Sequence, residues 1–135
     1  MDYQELINKA AEAREFAYTP YSHFKVGAAL LAKNGRVYTG CNIENATYTP
    51  TICAERTAFF KAVSEGVRDF EAIAIVGGKE GEIAPFCAPC GVCRQVMAEF
   101  CDTATFKLVL GNPSKFDVYS LNDVLPFAFT PQNLQ

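Results

Sequence analysis

The chain has 135 residues, half of them hydrophobic, with 11 Phe and 6 Tyr, which is enough to bury one core and sets the expectation of a single domain over 1–135. The net charge of −3 argues against a nucleic-acid partner, which would call for a basic patch, and no apolar run approaches the length of a membrane helix. The start, Met1-Asp2-Tyr3-Gln4-Glu5, is acidic and polar rather than signal-like, so a cytoplasmic location is expected. In that setting the six Cys read as reduced thiols or metal ligands, not as a disulfide framework.

Leu6, Ile7, Ala10, Ala13, Arg14 and Ala17 recur at helical spacing and predict a helix over 3–17, stopped by Tyr18-Thr19-Pro20-Tyr21. The short apolar run 24–32 predicts a buried strand. Asn34-Gly35 predicts a hairpin turn, with the second strand over 36–41. Residues 53–64 carry a helical pattern with Gly66 suited to end it. A central strand is expected over 71–76, a helix over 92–100, and strands over 106–110 and 116–119. The order β-β-α-β-α-β-β implies a mixed five-stranded sheet with helices on its faces.

The chemistry concentrates in Cys53-Ala54-Glu55 and Pro89-Cys90-Gly91-Val92-Cys93. Three thiolates fill three corners of a zinc tetrahedron and leave the fourth open to water, as catalytic rather than structural zinc sites do. Glu55 is then free to handle protons. This is the signature of zinc nucleobase deaminases, with Cys in place of the usual first His. Cys53, Cys90 and Cys93 fall at predicted helix starts, where the helix dipole favours thiolates. Three thiolates leave the ion electron-rich, so Arg56 and Arg94 are candidates to donate to the sulfurs and withdraw charge. The alternative for both is a surface ion pair. Cys87, three residues before Cys90, is read as a bystander. If it were a fourth ligand the zinc would be structural, and Cys90 with Cys93 alone would suit a thiol redox motif. Neither alternative accounts for Glu55. Cys41 and Cys101 read as small buried hydrophobes, and His23 as a surface residue in a polar turn.

With these motifs in place the chain resembles the small, homotetrameric cytidine deaminases nearly end to end. Tyr18-Thr19-Pro20-Tyr21-Ser22, Phe24-Lys25-Val26-Gly27-Ala28-Ala29-Leu30, Gly40-Cys41-Asn42-Ile43-Glu44-Asn45-Ala46 and Leu125-Pro126-Phe127-Ala128-Phe129 are each similar to a stretch of that family. The resemblance implies a three-layer α/β/α fold, one zinc per subunit, and a homotetramer with shared active sites. It implies that Asn42 and Glu44 bind a ribose hydroxyl, that Phe24 packs on the base, and that Phe129 reaches a neighbouring subunit's pocket. Ala54 completes the candidate substrate-binding set. The expected reaction is hydrolytic deamination of cytidine and deoxycytidine, a pyrimidine-salvage step, with Glu55 carrying the protons. Deamination of a cytosine-containing antibiotic is the runner-up, against which the ribose segment Asn42-Ile43-Glu44-Asn45 argues.

Overall fold

The computed structural model describes all residues from Met1 to Gln135. Helix α1 (Tyr3–Arg14) opens on Asp2, whose carboxylate accepts from the Glu5 backbone N–H at 2.8 Å. It ends at Arg14, short of the expected residue 17. Phe16 and Ala17 bond three residues back, and the Tyr18 N–H then donates to Asn42 O. The last expected turn is drawn instead into a bridge between Tyr18 and Ile43.

Strands β1 (Phe24–Ala32) and β2 (Val37–Cys41) form the expected hairpin, with Gly35 at φ +89° in the turn. Helix α2 spans Ala54–Ser64, β3 Phe70–Lys79, α3 Gly91–Phe100, β4 Lys107–Asn112 and β5 Lys115–Ser120. Two short elements went unread in the sequence. One is α4 (Leu121–Val124), held by a capping box between Ser120 and Asp123, and the other is a 3-10 turn at Pro131–Leu134. Strand β3 also runs three residues past the expected end. Gly77 and Gly78 look like turn residues, but they pair with Val26 and Lys25 of β1.

The sheet order is β2-β1-β3-β4-β5, and only β3/β4 is parallel, as the α3 crossover between them requires. Alternation along the strands separates two cores. Ala29, Leu31, Ala72, Ala74, Val76 and Val109 meet Leu6, Ile7 and Ala10 of α1 on one face. Ala28, Leu30, Ile73, Ile75, Leu108 and Leu110 meet Ala58, Phe59, Cys93 and Met97 on the other. The result is a three-layer α/β/α arrangement around a mixed five-stranded sheet, as expected.

This topology fixes where a site can form. β2 and β3 are both antiparallel to β1, so they run in the same direction. Their C-terminal ends therefore lie beside the start of β1, where Phe24 pairs with Lys79 and Gly27 with Cys41. The chain leaves β2 and β3 at that end and re-enters through the N-termini of α2 and α3.

Candidate active site

Cys53 is the N-cap of α2 and Cys90 the N-cap of α3, each in extended backbone conformation. Neither side chain caps its own helix. Both thiols are left pointing at one common point, which Cys93 reaches from the first turn of α3. The three sulfurs lie within 4.8 Å of one another, at 3.7 Å for Cys53–Cys90 and 3.5 Å for Cys90–Cys93. Two thiolates bound tetrahedrally at about 2.3 Å would stand roughly 3.8 Å apart, so the set fits a single zinc ion with one corner free. The Cys53 thiol is held well below its ordinary range. A hydrogen bond from Cys93 contributes most, against the opposing effect of burial, and Arg56 and Cys90 add to it.

Arg56 donates through Nη2 to Cys53 Sγ at 3.3 Å, three residues further along and on the same face of α2. Its buried Nε has no partner, so the guanidinium has donor capacity left toward the thiolate cluster. The expectation for Arg94 needs correction. Arg94 Nε donates to Pro89 O at 2.9 Å and Nη1 to Val124 O at 2.6 Å. Following Cys93 by one residue puts it about 100° around the helix, away from the sulfurs. It ties the approach to α3 onto α4 instead.

Cys87 stands outside the three-sulfur group. Its Sγ fills the space beside Gly77, 2.6 Å from where a Cβ there would sit. Burial pushes its thiol up to about 11, the opposite of a ligand thiolate. Cys41 and Cys101 are half-buried with thiols raised by burial. His23 is exposed, pairs with Glu80 at 3.4 Å, and holds φ +57°.

Glu55 lies in the first turn of α2 and is only 4% exposed. Burial is the main reason its carboxyl is pushed up to about 7, and the neighbouring Cys53 thiolate adds to it. Its own backbone N–H, the Cys93 thiol and Arg56 pull the other way. A carboxyl poised there can both take and give a proton near neutral pH. Ala54, the first residue of α2, is fully buried and packs in the core with Ala58 and Phe59.

The other candidate residues gather along the same end of the sheet. Asn42 Oδ1 accepts from Val26 N and Asn42 Nδ2 donates to Phe24 O, both at 2.9 Å. The amide thus continues the sheet where β2 stops, keeping one N–H free. Glu44 Oε1 accepts from the backbone N–H groups of Tyr21 and Ser22 at 2.9 and 3.2 Å, and Oε2 accepts from the Ser22 hydroxyl. The Ser22 bond leads the causes that hold this carboxyl below the usual range. Glu44 lines an open cavity of about 420 Å³ with Tyr21, Ser22, Asn45, Tyr48 and Thr51. Phe24 and Phe129 are exposed, and Phe129 O accepts from Gln95 Nε2 at 2.8 Å. Phe127 is fully exposed at φ +55°. The sequence reading missed Ser22 and Arg14. Arg14 was counted only as part of a helical stripe, yet it is buried and donates to the carbonyls of Lys25, Gly78, Lys79 and Glu82.

An α/β/α fold that brings three thiols and a buried carboxyl together at two helix N-termini, with an open metal corner, defines a zinc hydrolase. Comparison with known proteins narrows the class. Residues 1–109 match the family model described as the cytidine and deoxycytidylate deaminase zinc-binding region, and the chain belongs to that family. It is 53% identical over 135 residues to a cytidine deaminase of Halalkalibacterium halodurans, covering 99% of this chain and 98% of that one. It is 50% identical over 134 residues to one of Sporosarcina psychrophila, covering 99% and 96%. The crystal structure of cytidine deaminase from Burkholderia pseudomallei superposes with a TM-score of 0.86 at 49% identity, covering 96% of this chain and all of that one.

Proposed function

We propose that the protein hydrolyses cytidine and deoxycytidine to uridine and deoxyuridine, releasing ammonia, as a step of pyrimidine salvage in the cytoplasm. The observation that carries this reading is the buried Glu55 carboxyl beside three thiols converging from two helix N-termini. Cys53, Cys90 and Cys93 would hold the zinc, which when bound supplies an activated water in place of a free one. Glu55 takes a proton from the attacking water and delivers it to the ring nitrogen beside the amino-bearing carbon. That makes the carbon electrophilic. Glu55 then takes the remaining proton from the hydroxyl added at that carbon and hands it to the amino group, so that the carbonyl forms and ammonia, not amide ion, departs. Its near-neutral carboxyl suits both directions of transfer.

Arg56 offsets the negative charge on Cys53. Phe24 packs against the base. Asn42 contributes its free N–H and Glu44 its remaining acceptor position to a ribose hydroxyl, which orients the base toward Glu55. The exposed segment carrying Phe127 and Phe129 supports a homotetramer in which Phe129 completes a neighbour's pocket.

The test is an ultraviolet assay of the purified protein on cytidine, deoxycytidine and free cytosine, with zinc measured on the same sample. Both nucleosides should be converted, cytosine should be poor, and zinc should approach one per chain. Efficient use of cytosine, or activity that persists without zinc, would overturn the reading.

A further inference from the structure

We propose that Ser22 is a positioning residue for the sugar subsite: its hydroxyl fixes the rotamer of Glu44 and ties that carboxylate to the backbone of Phe24. The inference rests on the proposed nucleoside reading and assigns to Ser22 a role that acts through Glu44.

An ionised carboxylate offers four acceptor positions, two on each oxygen, and no donor. The protein fills both positions on Oε1 with the Tyr21 and Ser22 N–H groups, and one on Oε2 with the Ser22 hydroxyl. One acceptor position is left for a ligand. The hydroxyl has a single proton, and its two neighbours fix where that proton lies. Phe24 N–H, 3.1 Å away, can only donate to Oγ, and the carboxylate can only accept from it. The proton therefore points at Glu44, and Oγ stands between the carboxylate proposed to read the sugar and the residue proposed to hold the base.

The bond from Phe24 N to Ser22 Oγ is also a common local turn device, so Ser22 could be there for the turn alone. The surroundings argue otherwise. The turn is braced without the hydroxyl. His23 sits in the left-handed region, its N–H donates to Thr19 O at 3.0 Å, and its carbonyl accepts from Glu80 N at 2.7 Å. Glu44 N likewise donates to Tyr18 O at 2.9 Å, which zips residues 42–44 against 18–22. With both main chains already held, the groups the hydroxyl leaves to order are the Glu44 side chain and the amide of Phe24. Glu44 is half-buried, and without Ser22 its Oε2 would be held by nothing else in the chain.

The experiment compares wild type, Ser22→Ala, Ser22→Thr, Glu44→Ala and the Ser22→Ala/Glu44→Ala double variant as zinc-loaded enzymes. Cytidine kinetics are measured together with the Kd of the product uridine by calorimetry, which reads sugar binding without turnover. Loss of one hydrogen bond to this half-buried carboxylate should raise the cytidine KM and the uridine Kd roughly 3- to 10-fold in Ser22→Ala. The turnover number should stay within about 2-fold, because an interaction lost equally from ground and transition states leaves it unchanged. Zinc content should not move. Ser22→Thr, which keeps the hydroxyl, should recover most of the loss, and Ser22→Ala should add nothing in the Glu44→Ala background. Multiplying effects in the double variant, a fall in turnover with KM unchanged, or a threonine variant no better than alanine would each overturn the inference. A wild type that uses cytidine normally while Ser22→Ala matches it sinks the inference alone. A wild type that neither converts cytidine nor binds uridine removes the nucleoside reading and the inference together.

Discussion

Replacing Arg14 with Met should be the most damaging single change away from the thiols. The guanidinium is buried at the end of α1, and its only carboxylate neighbour is the exposed Glu15 at 3.7 Å. What stabilises it is main-chain oxygen: Nε donates to Lys25 O at 3.0 Å, and Nη2 serves Gly78 O at 3.1 Å, Lys79 O at 2.8 Å and Glu82 O. Three N–H groups thus satisfy four carbonyls where β3 ends. Hydrogen bonds to a charged group contribute roughly 1.5–3 kcal/mol each, so three would give at least about 4.5 kcal/mol. The desolvation of the buried charge offsets part of that, and Met keeps the aliphatic packing. A net loss of ~3–5 kcal/mol is therefore expected, a large share of a typical domain's stability. For a chain of this size each kcal/mol moves Tm by roughly 4 °C, so the variant should melt about 10–20 °C lower. Thermal unfolding followed by circular dichroism, at fixed protein concentration, reads this directly. Arg14→Lys keeps the charge without the fork and should fall between. If Arg14→Met lies within about 1 kcal/mol of wild type, the carbonyls find water at no cost and the reasoning is wrong.

Glu55→Gln should keep zinc and fold while losing ~10²–10⁴-fold in turnover, and retention of more than about a tenth of the activity would remove the proton-carrying role. Cys90→Ala and Cys93→Ala should each lose zinc and activity, whereas Cys87→Ser should lose neither; metal release from Cys87→Ser would make Cys87 a fourth ligand and the site a closed one. Gly40→Ala should destabilise by about 1–3 kcal/mol in urea unfolding, because its Cβ would lie 2.4 Å from Ala54 O and 2.7 Å from Ala58 N and so push α2 off the sheet. A variant as stable as wild type would show that α2 yields freely.

The parts of the site legible in the sequence are those set by local geometry. Cys53, Cys90 and Cys93 could be placed because helix starts and short spacings determine where their sulfurs go, and Glu55 followed from its offset. Arg56 was legible for the same reason, being one turn from Cys53. Arg94 was not, because its partners, Pro89 O and Val124 O, are backbone groups whose approach depends on how α4 packs. The strand over Gly77 and Gly78 was hidden because composition there mimics a turn. The glycines are needed for close approach instead: a Cβ on Gly78 would meet Ala84 N and Glu82 O at 2.6 Å, and one on Gly77 the Cys87 sulfur. Arg14 fitted an amphipathic stripe by spacing, and nothing local marks four distant carbonyls as its partners. The two short C-terminal elements fall below the length at which periodicity carries a signal.

The bonds that went unread share a physical setting that bears on function. At the end of the sheet where the site lies, regular ladders stop and polar side chains take over the main-chain hydrogen bonds. Asn42 does this for Phe24 and Val26, Arg14 for the exit of β3, Arg94 for Pro89, and Ser22 for Phe24. The Asn42 and Arg14 bonds join residues far apart in sequence, so no periodicity announces them. They also leave little polar capacity unspent. One N–H and one Oδ1 lone pair of Asn42, one acceptor position on Glu44 and the Glu55 carboxyl are what these groups still present. With a single N–H to give, the subsite satisfies one hydroxyl fully, since that hydroxyl accepts from Asn42 and donates to Glu44. A second hydroxyl on the adjacent carbon finds no donor among these groups and is read less fully. Ribose and deoxyribose nucleosides should then be used with similar efficiency, whereas removing the one hydroxyl that is read should leave a donor and an acceptor unpaired and cost far more. Measured efficiencies for cytidine, 2′-deoxycytidine and 3′-deoxycytidine decide the point: near equality of the first two with a steep fall for the third is expected, and a steep fall for 2′-deoxycytidine would show that more of the sugar is read than this subsite can account for.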